Sequence, residues 1–324
     1  MISSTAPVVP NPARSMAAGI GCGAAAGALW GLIFLAPKLA GPFNPVLQAA
    51  ARYLAYGVIS VVLLAPQWRR ISATVTKREW LALAWLGIAG NTLYYILVSI
   101  AVRTGGTAMT ALVCGFMPVA VTLIGSRDPG SAPLRRLVPS LLLCVAGAVC
   151  IGWQTVAAPS SAPVVERIVG LLCAVGALVS WTAYAVGNSR WLTRLGRLSV
   201  RDWTLLTGIM AGAQSLFLFP LALVLDEGPH GGGDWARLVI VSIGVAVLAS
   251  IAGNAFWNRM CRLLPLTLVG QMILFETLFA QIYGFLWEQR LPTWLELTAF
   301  LLVVLSVLSC VAAHRRKETG SGPG

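Results

Sequence analysis

The chain has 324 residues, 57% hydrophobic and 10% charged, whereas ordinary globular domains are about 45–50% apolar and roughly 25% charged, so a water-soluble fold is excluded. Its formal net charge of +12 would suit nucleic acid, but the basic residues sort by alternate connections between apolar runs, which excludes that partner. All seven cysteines lie inside or at the ends of these runs without a CxxC pair or a ligand set, which argues against disulfides, a metal or a cofactor.

Runs of about twenty apolar residues match the hydrocarbon core of a bilayer when coiled as helices, the form in which one segment satisfies its own backbone. Ten are predicted: 16–38, 45–66, 79–101, 106–125, 134–154, 167–188, 203–225, 236–259, 265–287 and 293–313. Residues 1–15 and 314–324 read as disordered ends, and 155–166 as a linker between two five-helix halves, 16–154 and 167–313. The first run is too long and too glycine-rich for a cleaved signal peptide.

In chain order, helix one carries Gly19, Gly23, Gly27 and Gly31 at four-residue spacing, a smooth stripe for backbone-to-backbone packing, and then Trp30 and Lys38. Helix two places Gln48, Arg52, Tyr56 and Ser60 four residues apart, hence on one face, and Arg52 is the one basic residue within a span. Thr76 and Glu79 are spaced as a capping box ahead of helix three, as Thr293 and Glu296 are at helix ten. Helix three holds Ile88-Ala89-Gly90-Asn91, then Tyr94, Tyr95 and Ser99. Pro118 lies within helix four, where it removes an amide donor and forms a kink or a hinge.

The second half repeats these features. Helix six carries Gly176-Ala177-Leu178, matching Gly27-Ala28-Leu29, and then Trp181, Tyr184 and Asn188. Helix eight repeats Ile-Ala-Gly-Asn as Ile251–Asn254 within a stripe of Ser250, Asn254 and Asn258, with Trp257 alongside. Helix nine bears Gln271 and Glu276, the one carboxylate deep in a span. Trp68, Trp80, Trp153, Trp191, Trp203, Trp235, Trp287 and Trp294 fall near span ends as interface anchors, while Trp85 lies deeper.

Of the 23 lysines and arginines, five (Lys38, Arg103, Arg167, Arg237 and Arg290) fall on one side, Arg52 within a helix, and the rest on the side of the termini. The positive-inside rule then places both termini in the cytoplasm. Five helices per copy force the two copies into opposite orientations, the inverted repeat from which many transporters build one midplane site. The fold class is therefore an all-α integral membrane protein of ten helices in two inverted five-helix repeats.

Trp30-Gly31 with Lys38, Arg52, Pro118, and Trp287-Glu288 ahead of Thr293 resemble, in order and over nearly the whole chain, the drug/metabolite transporter superfamily and its EamA-type ten-helix exporters. Within it the chain is most similar to aromatic amino acid exporters of the YddG type. The resemblance implies a central cavity walled by helices one to four and six to nine, with five and ten peripheral. Glu276 stands where the first repeat has Pro118, a departure from symmetry.

A membrane carboxylate faces a cavity or a partner, so Glu276 reads as a substrate or proton site, or as the ion-pair partner of Arg52. The polar stripes read either as cavity lining or as interhelical hydrogen-bond seams. The expected function is export of amino acids, aromatic or large and neutral, by alternating access. Arg52, Asn91, Asn254 and Gln271 would hold the zwitterionic end, with Asn188 and Asn258 on the same stripes; Trp30, Tyr56, Tyr94, Tyr95, Trp181, Tyr184 and Trp257 would hold the side chain, and Glu276 the ammonium or a proton. The alternative is export of lipophilic cationic drugs, which suit a carboxylate among aromatic rings equally well. No phosphate-binding loop for ATP occurs. Because His230 and His314 both fall in a loop or tail, an intramembrane enzyme is not expected. Arginine-rich loops without an organelle address point to a bacterial inner membrane.

Overall fold

The computed structural model describes residues 12–129, 131–156, 163–226 and 228–319, and its described elements are all helical. Ten membrane helices follow in chain order: α1 (Ser15–Phe34), α2 (Pro45–Thr74), α3 (Lys77–Gly105), α4 (Met109–Gly125), α5 (Leu134–Val156), α6 (Val164–Arg194), α7 (Val200–Val224), α8 (Gly232–Leu263), α9 (Leu266–Glu288) and α10 (Trp294–Arg315). Among the described residues eight of them are long and apolar enough to cross a bilayer unaided. Ten described helices, an even number, bring Pro12 and Thr319, the first and last described residues, to one face of the bundle, the terminal face.

The ends depart from the sequence expectation. Helix begins at Pro12 and continues to Thr319, so residues 12–15 and 314–319 are not irregular. Residues 1–11, 157–162 and 320–324 of the expected disordered ends and linker lie outside the described residues.

Packing follows the inverted order. α2 lies along α7 and α5 along α10, while α1 packs on α8 and α9 as α6 packs on α3 and α4. Small residues set the approach: a Cβ on Gly57 of α2 would lie 2.6 Å from the Cα of Gly212 of α7. The glycine stripe of α1 meets the second repeat along its whole length. Cβ atoms there would press on Leu264 at Gly19, on Met260 and Met272 at Gly23, on Phe275 and Glu276 at Gly27, and on Phe279 and Ala280 at Gly31.

α4 and α9, which stand in equivalent places, are both interrupted. α4 breaks at Gly115 and Phe116 and restarts as Met117–Gly125; α9 is interrupted at Ile273 and restarts as Leu274–Glu288. Pro118 thus occupies the first turn of a new segment instead of a continuous helix interior, and in a first turn its missing N–H costs no helical bond. The break precedes the proline, and α9 has one without any proline.

A Cβ at Gly27 would stand 2.5 Å from the Phe275 Cβ and 2.8 Å from the Glu276 backbone nitrogen, and backbone cannot swing aside. Gly27→Ala is expected to cost about 1–3 kcal/mol, read as a lower thermal midpoint of the detergent-purified protein. Gly21→Ala, on an open face with nothing within 4 Å, should leave the midpoint unchanged.

Candidate functional site

Glu276 lies in the first turn of the second segment of α9, where the positive end of the helix dipole favours a carboxylate. Its side chain is partly exposed and makes no hydrogen bond or ion pair among the described residues. Arg52, on α2, is also partly exposed; its Nε donates to the Ser250 hydroxyl of α8 at 3.1 Å, and its guanidinium carbon lies 4.7 Å from the Tyr53 ring centre. The two charges lie within each other's field, but among the described residues no ion pair joins them. The direct Arg52–Glu276 pair is thus absent, because Arg52 is held toward Ser250 and Tyr53.

Tyrosines fill the space around these charges. Tyr94 meets Tyr95 edge-on with ring centres 6.0 Å apart, and Tyr95 meets Tyr53 in the same manner at 5.9 Å. Tyr94 also feels the Glu276 charge. Helical spacing left Tyr53 out, since it is next to Arg52 and projects from a different face. The arginine side chain is long enough to fold back onto it.

The first Ile-Ala-Gly-Asn copy lies within a π-helical turn, Ile88–Thr92 in α3, and the second has its first three residues in another, Ala246–Gly253 in α8, with Asn254 starting the regular helix that follows. A π turn absorbs an extra residue and leaves carbonyls out of line with the regular ladder. In α3 the Ala89 carbonyl accepts from the Ser180 hydroxyl of α6 at 2.7 Å; in α8 the Ala249 carbonyl accepts from the Trp30 indole N–H of α1 at 3.1 Å. The motif glycine makes room for a ring in each case, Gly90 for Tyr184 and Gly253 for Trp30. Each copy therefore docks the first helix of the opposite repeat by the same two devices. Asn91 and Asn254, which end the motifs, stay partly exposed, with Asn254 against Tyr56.

Several expected cavity residues are instead buried. The Tyr56 hydroxyl donates to the Thr204 carbonyl at 2.5 Å and the ring is 1% exposed. Gln271 is fully buried; its carbonyl accepts from Ser306 of α10 at 2.9 Å and its amide donates to Thr122 of α4 at 3.4 Å. Near the terminal face Asn188 donates to Asn258 at 2.9 Å, Trp203 donates to Asn188 and Asn258 donates to Thr204, each also at 2.9 Å. Trp30, Trp257, Trp181 and Tyr184 form a continuous aromatic layer across α1, α8 and α6, with successive ring centres 5.0, 5.9 and 6.0 Å apart; of the four, only Trp181 stays partly exposed. Four-residue spacing drifts by about 40° per step around a helix of 3.6 residues per turn. A stripe of three or four such residues therefore leaves the cavity and enters a seam.

Trp203, Trp85 and His314 depart from expectation, while His230 lies in a loop as expected. Trp203 is a buried hydrogen-bond donor stacked on Trp191, not an interface anchor, and Trp85 is 40% exposed on the outside of the bundle. His314 is buried in α10: its Nδ1 faces the Cys310 carbonyl at 2.8 Å, which requires a proton there, so Nε2 accepts from the Thr267 hydroxyl at 2.8 Å. His230 is buried against Asp226, 2.6 Å away, and its ring lies 4.1 Å from that of Phe43.

Both halves match the family model described as the EamA-like transporter family, over residues 17–153 and 168–311. The chain belongs to this family. It is a membrane transporter of small molecules, with a ten-helix, two-repeat fold, and a multi-pass inner-membrane protein. Inner membrane protein YtfF of Escherichia coli (strain K12) is 29% identical over 318 residues, covering 90% of this chain and 94% of that one. A crystal structure of another protein, 19% identical, shares the fold with a TM-score of 0.73 over 93% of this chain and 99% of its own.

In this EamA transporter the Asn188–Asn258 pair closes a buried polar network. Asn258→Leu is expected to cost about 1–3 kcal/mol because it strands the donors and acceptors left behind. Thermal unfolding of Asn188→Leu, Asn258→Leu and the double variant measures this. The double should lose less than the sum of the singles, since the two residues share one bond.

Proposed function

We propose that the transporter carries amino acids with aromatic or large neutral side chains, outward across the inner membrane, by alternating access. The observation that carries this reading is Arg52 and Glu276, opposite charges without an ion-pair partner among the described residues and partly exposed at membrane depth beside Tyr53, Tyr94 and Tyr95. A zwitterion supplies the two missing partners, its carboxylate for Arg52 and its ammonium for Glu276. Asn91 and Asn254 add amides beside it, and Tyr94, Tyr95 and Trp181 offer ring faces to the side chain. Trp30, Tyr184 and Trp257 shape the aromatic layer behind, while Tyr56, Asn188, Asn258 and Gln271 hold helices together. By the positive-inside rule the terminal face is cytoplasmic.

The test is counterflow in liposomes containing only this protein, preloaded with an amino acid mixture and given labelled phenylalanine or tryptophan outside. Accumulation blocked by neutral amino acids but not by lipophilic cations is expected. The reverse pattern of competition would support carriage of lipophilic cations, which need Glu276 and the rings but not Arg52. Under the zwitterion reading Arg52→Gln and Glu276→Gln each remove a charge contact and should lower counterflow about tenfold or more.

Glu276 is also the group we assign to proton coupling, the carboxyl releasing its proton to take up substrate ammonium. Residual transport by Glu276→Gln should then be flat across pH, where the parent varies. A parent profile that the substitution leaves intact would remove the proton role while leaving substrate binding to Arg52 and the rings.

A further inference from the structure

Among the described residues three ion pairs join the repeats: Arg70–Asp202, 3.6 Å apart where α2 ends and α7 begins at the terminal face, and two others, one at each face, that are related by the inversion. Lys38, just past α1, lies 3.2 Å from Glu288 at the end of α9; Arg190, near the end of α6, lies 2.8 Å from Asp128, just past α4. α1 and α6 are the first helices of their repeats, and α4 and α9 are the fourth. Inverting the structure therefore exchanges one pair for the other, with the cation near the end of the first helix and the carboxylate near the end of the fourth in both. Each pair borders a small crevice, about 190 Å³ lined by Glu288, Arg290 and Glu296, and about 200 Å³ lined by Asp128, Arg190 and Leu264.

The surroundings differ. Glu288 is shared with Arg290 at 2.7 Å, and Arg290 also grips Glu296 at 2.7 Å, so the pair opposite the terminal face sits in a charged network. Asp128–Arg190 is a single contact. Behind it, however, the terminal face is packed: Gly125 meets the Leu266–Thr267 backbone, and Arg262 donates to the Leu195 and Leu198 carbonyls at 3.2 and 2.7 Å.

We propose that Asp128–Arg190 and Lys38–Glu288 are symmetry-related latches, one at each mouth, each parting as its own mouth opens. Both are closed here. All four side chains are between about one third and one half exposed, so each pair is weak and shifts the balance of states about two- to fivefold. That strength suits a carrier, in which neither mouth can be locked. The proposal rests on the alternating-access reading but on no particular substrate.

The test needs no substrate. A reporter cysteine at Asn91 is labelled with a membrane-impermeant maleimide in right-side-out and inside-out vesicles, against a parent without the reporter. Arg190→Glu should raise labelling from the terminal face about two- to fivefold and lower it from the other; Lys38→Glu should do the reverse. The swap of Asp128→Arg with Arg190→Glu should restore the parent pattern. Should a reversal fail to insert, Arg190→Gln and Lys38→Gln read the same shifts at smaller amplitude. Shifts of the same sign from both faces, no shift in inserted protein, or a swap that fails to restore labelling would each overturn the proposal. Amino acid counterflow with unmoved labelling would sink the latches and leave the substrate reading standing.

Discussion

The cost of an unpartnered polar group in hydrocarbon organises this bundle. In lipid every backbone and side-chain donor needs an acceptor inside the protein, and most polar side chains within these helices have one. Ser180 and Trp30 reach carbonyls that the π turns push out of line; Tyr56 reaches the Thr204 carbonyl, Ser215 that of Ala50 and Ser306 that of Ser140. Against that background Glu276 has no partner among the described residues, and Arg52 has only a hydroxyl and a ring. Among the described residues Ser60, Thr182, Trp257 and Gln281 also carry a buried polar atom without a partner, but those groups are neutral, and charge is what distinguishes the Arg52 and Glu276 site.

The duplication explains how such a site can exist in a tightly packed structure. Each repeat uses a π turn and a bare glycine to seat the first helix of the other, so the two halves grip each other through matched contacts. The interrupted helices α4 and α9 are matched in the same way. Where α4 restarts, the chain has Pro118 in the first turn; where α9 restarts, it has Glu276. The first turn suits each residue for its own reason: Pro118 lacks only an amide hydrogen that helices leave unused there, while the Glu276 amide donates to the Ile273 carbonyl at 3.1 Å and its carboxylate gains from the helix dipole. One duplicated backbone device thus provides a helix start in one repeat and a charged site in the other.

Helix number, order and the repeat were legible in the sequence because they rest on long apolar runs, on charge asymmetry and on a motif used twice. The division of the polar residues between cavity and seam was not. Gln48, Arg52, Tyr56 and Ser60 share a stripe by spacing, yet Gln48 donates to the Phe43 carbonyl, Arg52 to Ser250 and Tyr56 to Thr204, while Ser60 lies buried near Gly208. Spacing reports a direction around one helix and says nothing about which neighbour stands there. The π turns were hidden for a similar reason: Ile-Ala-Gly-Asn marks the positions, but nothing in four residues specifies an added residue in the turn. Tyr53 was hidden by the opposite problem, an arginine long enough to leave its own face.

The arrangement also bears on how two states can stay close in energy. An inverted pair of repeats that exchange roles presents similar contacts at both faces, so opening one mouth while closing the other trades like for like. Departures from symmetry then set the bias. The terminal face has the Asn188–Asn258–Trp203–Thr204 network and the Arg262 contacts, whose partners are mostly buried and directional; the other face has Lys38, Glu288, Arg290 and Glu296, which keep much of their exposure. These buried hydrogen bonds all lie within the second repeat and hold its α6, α7 and α8 together as one unit, whereas the exposed ion pairs between repeats dissolve into water at little cost. The bias between the faces is then left to the contacts that cross from one repeat to the other, Arg190–Asp128, Arg70–Asp202 and the close approach of Gly125 to the Leu266–Thr267 backbone at the terminal face, and Lys38–Glu288 opposite.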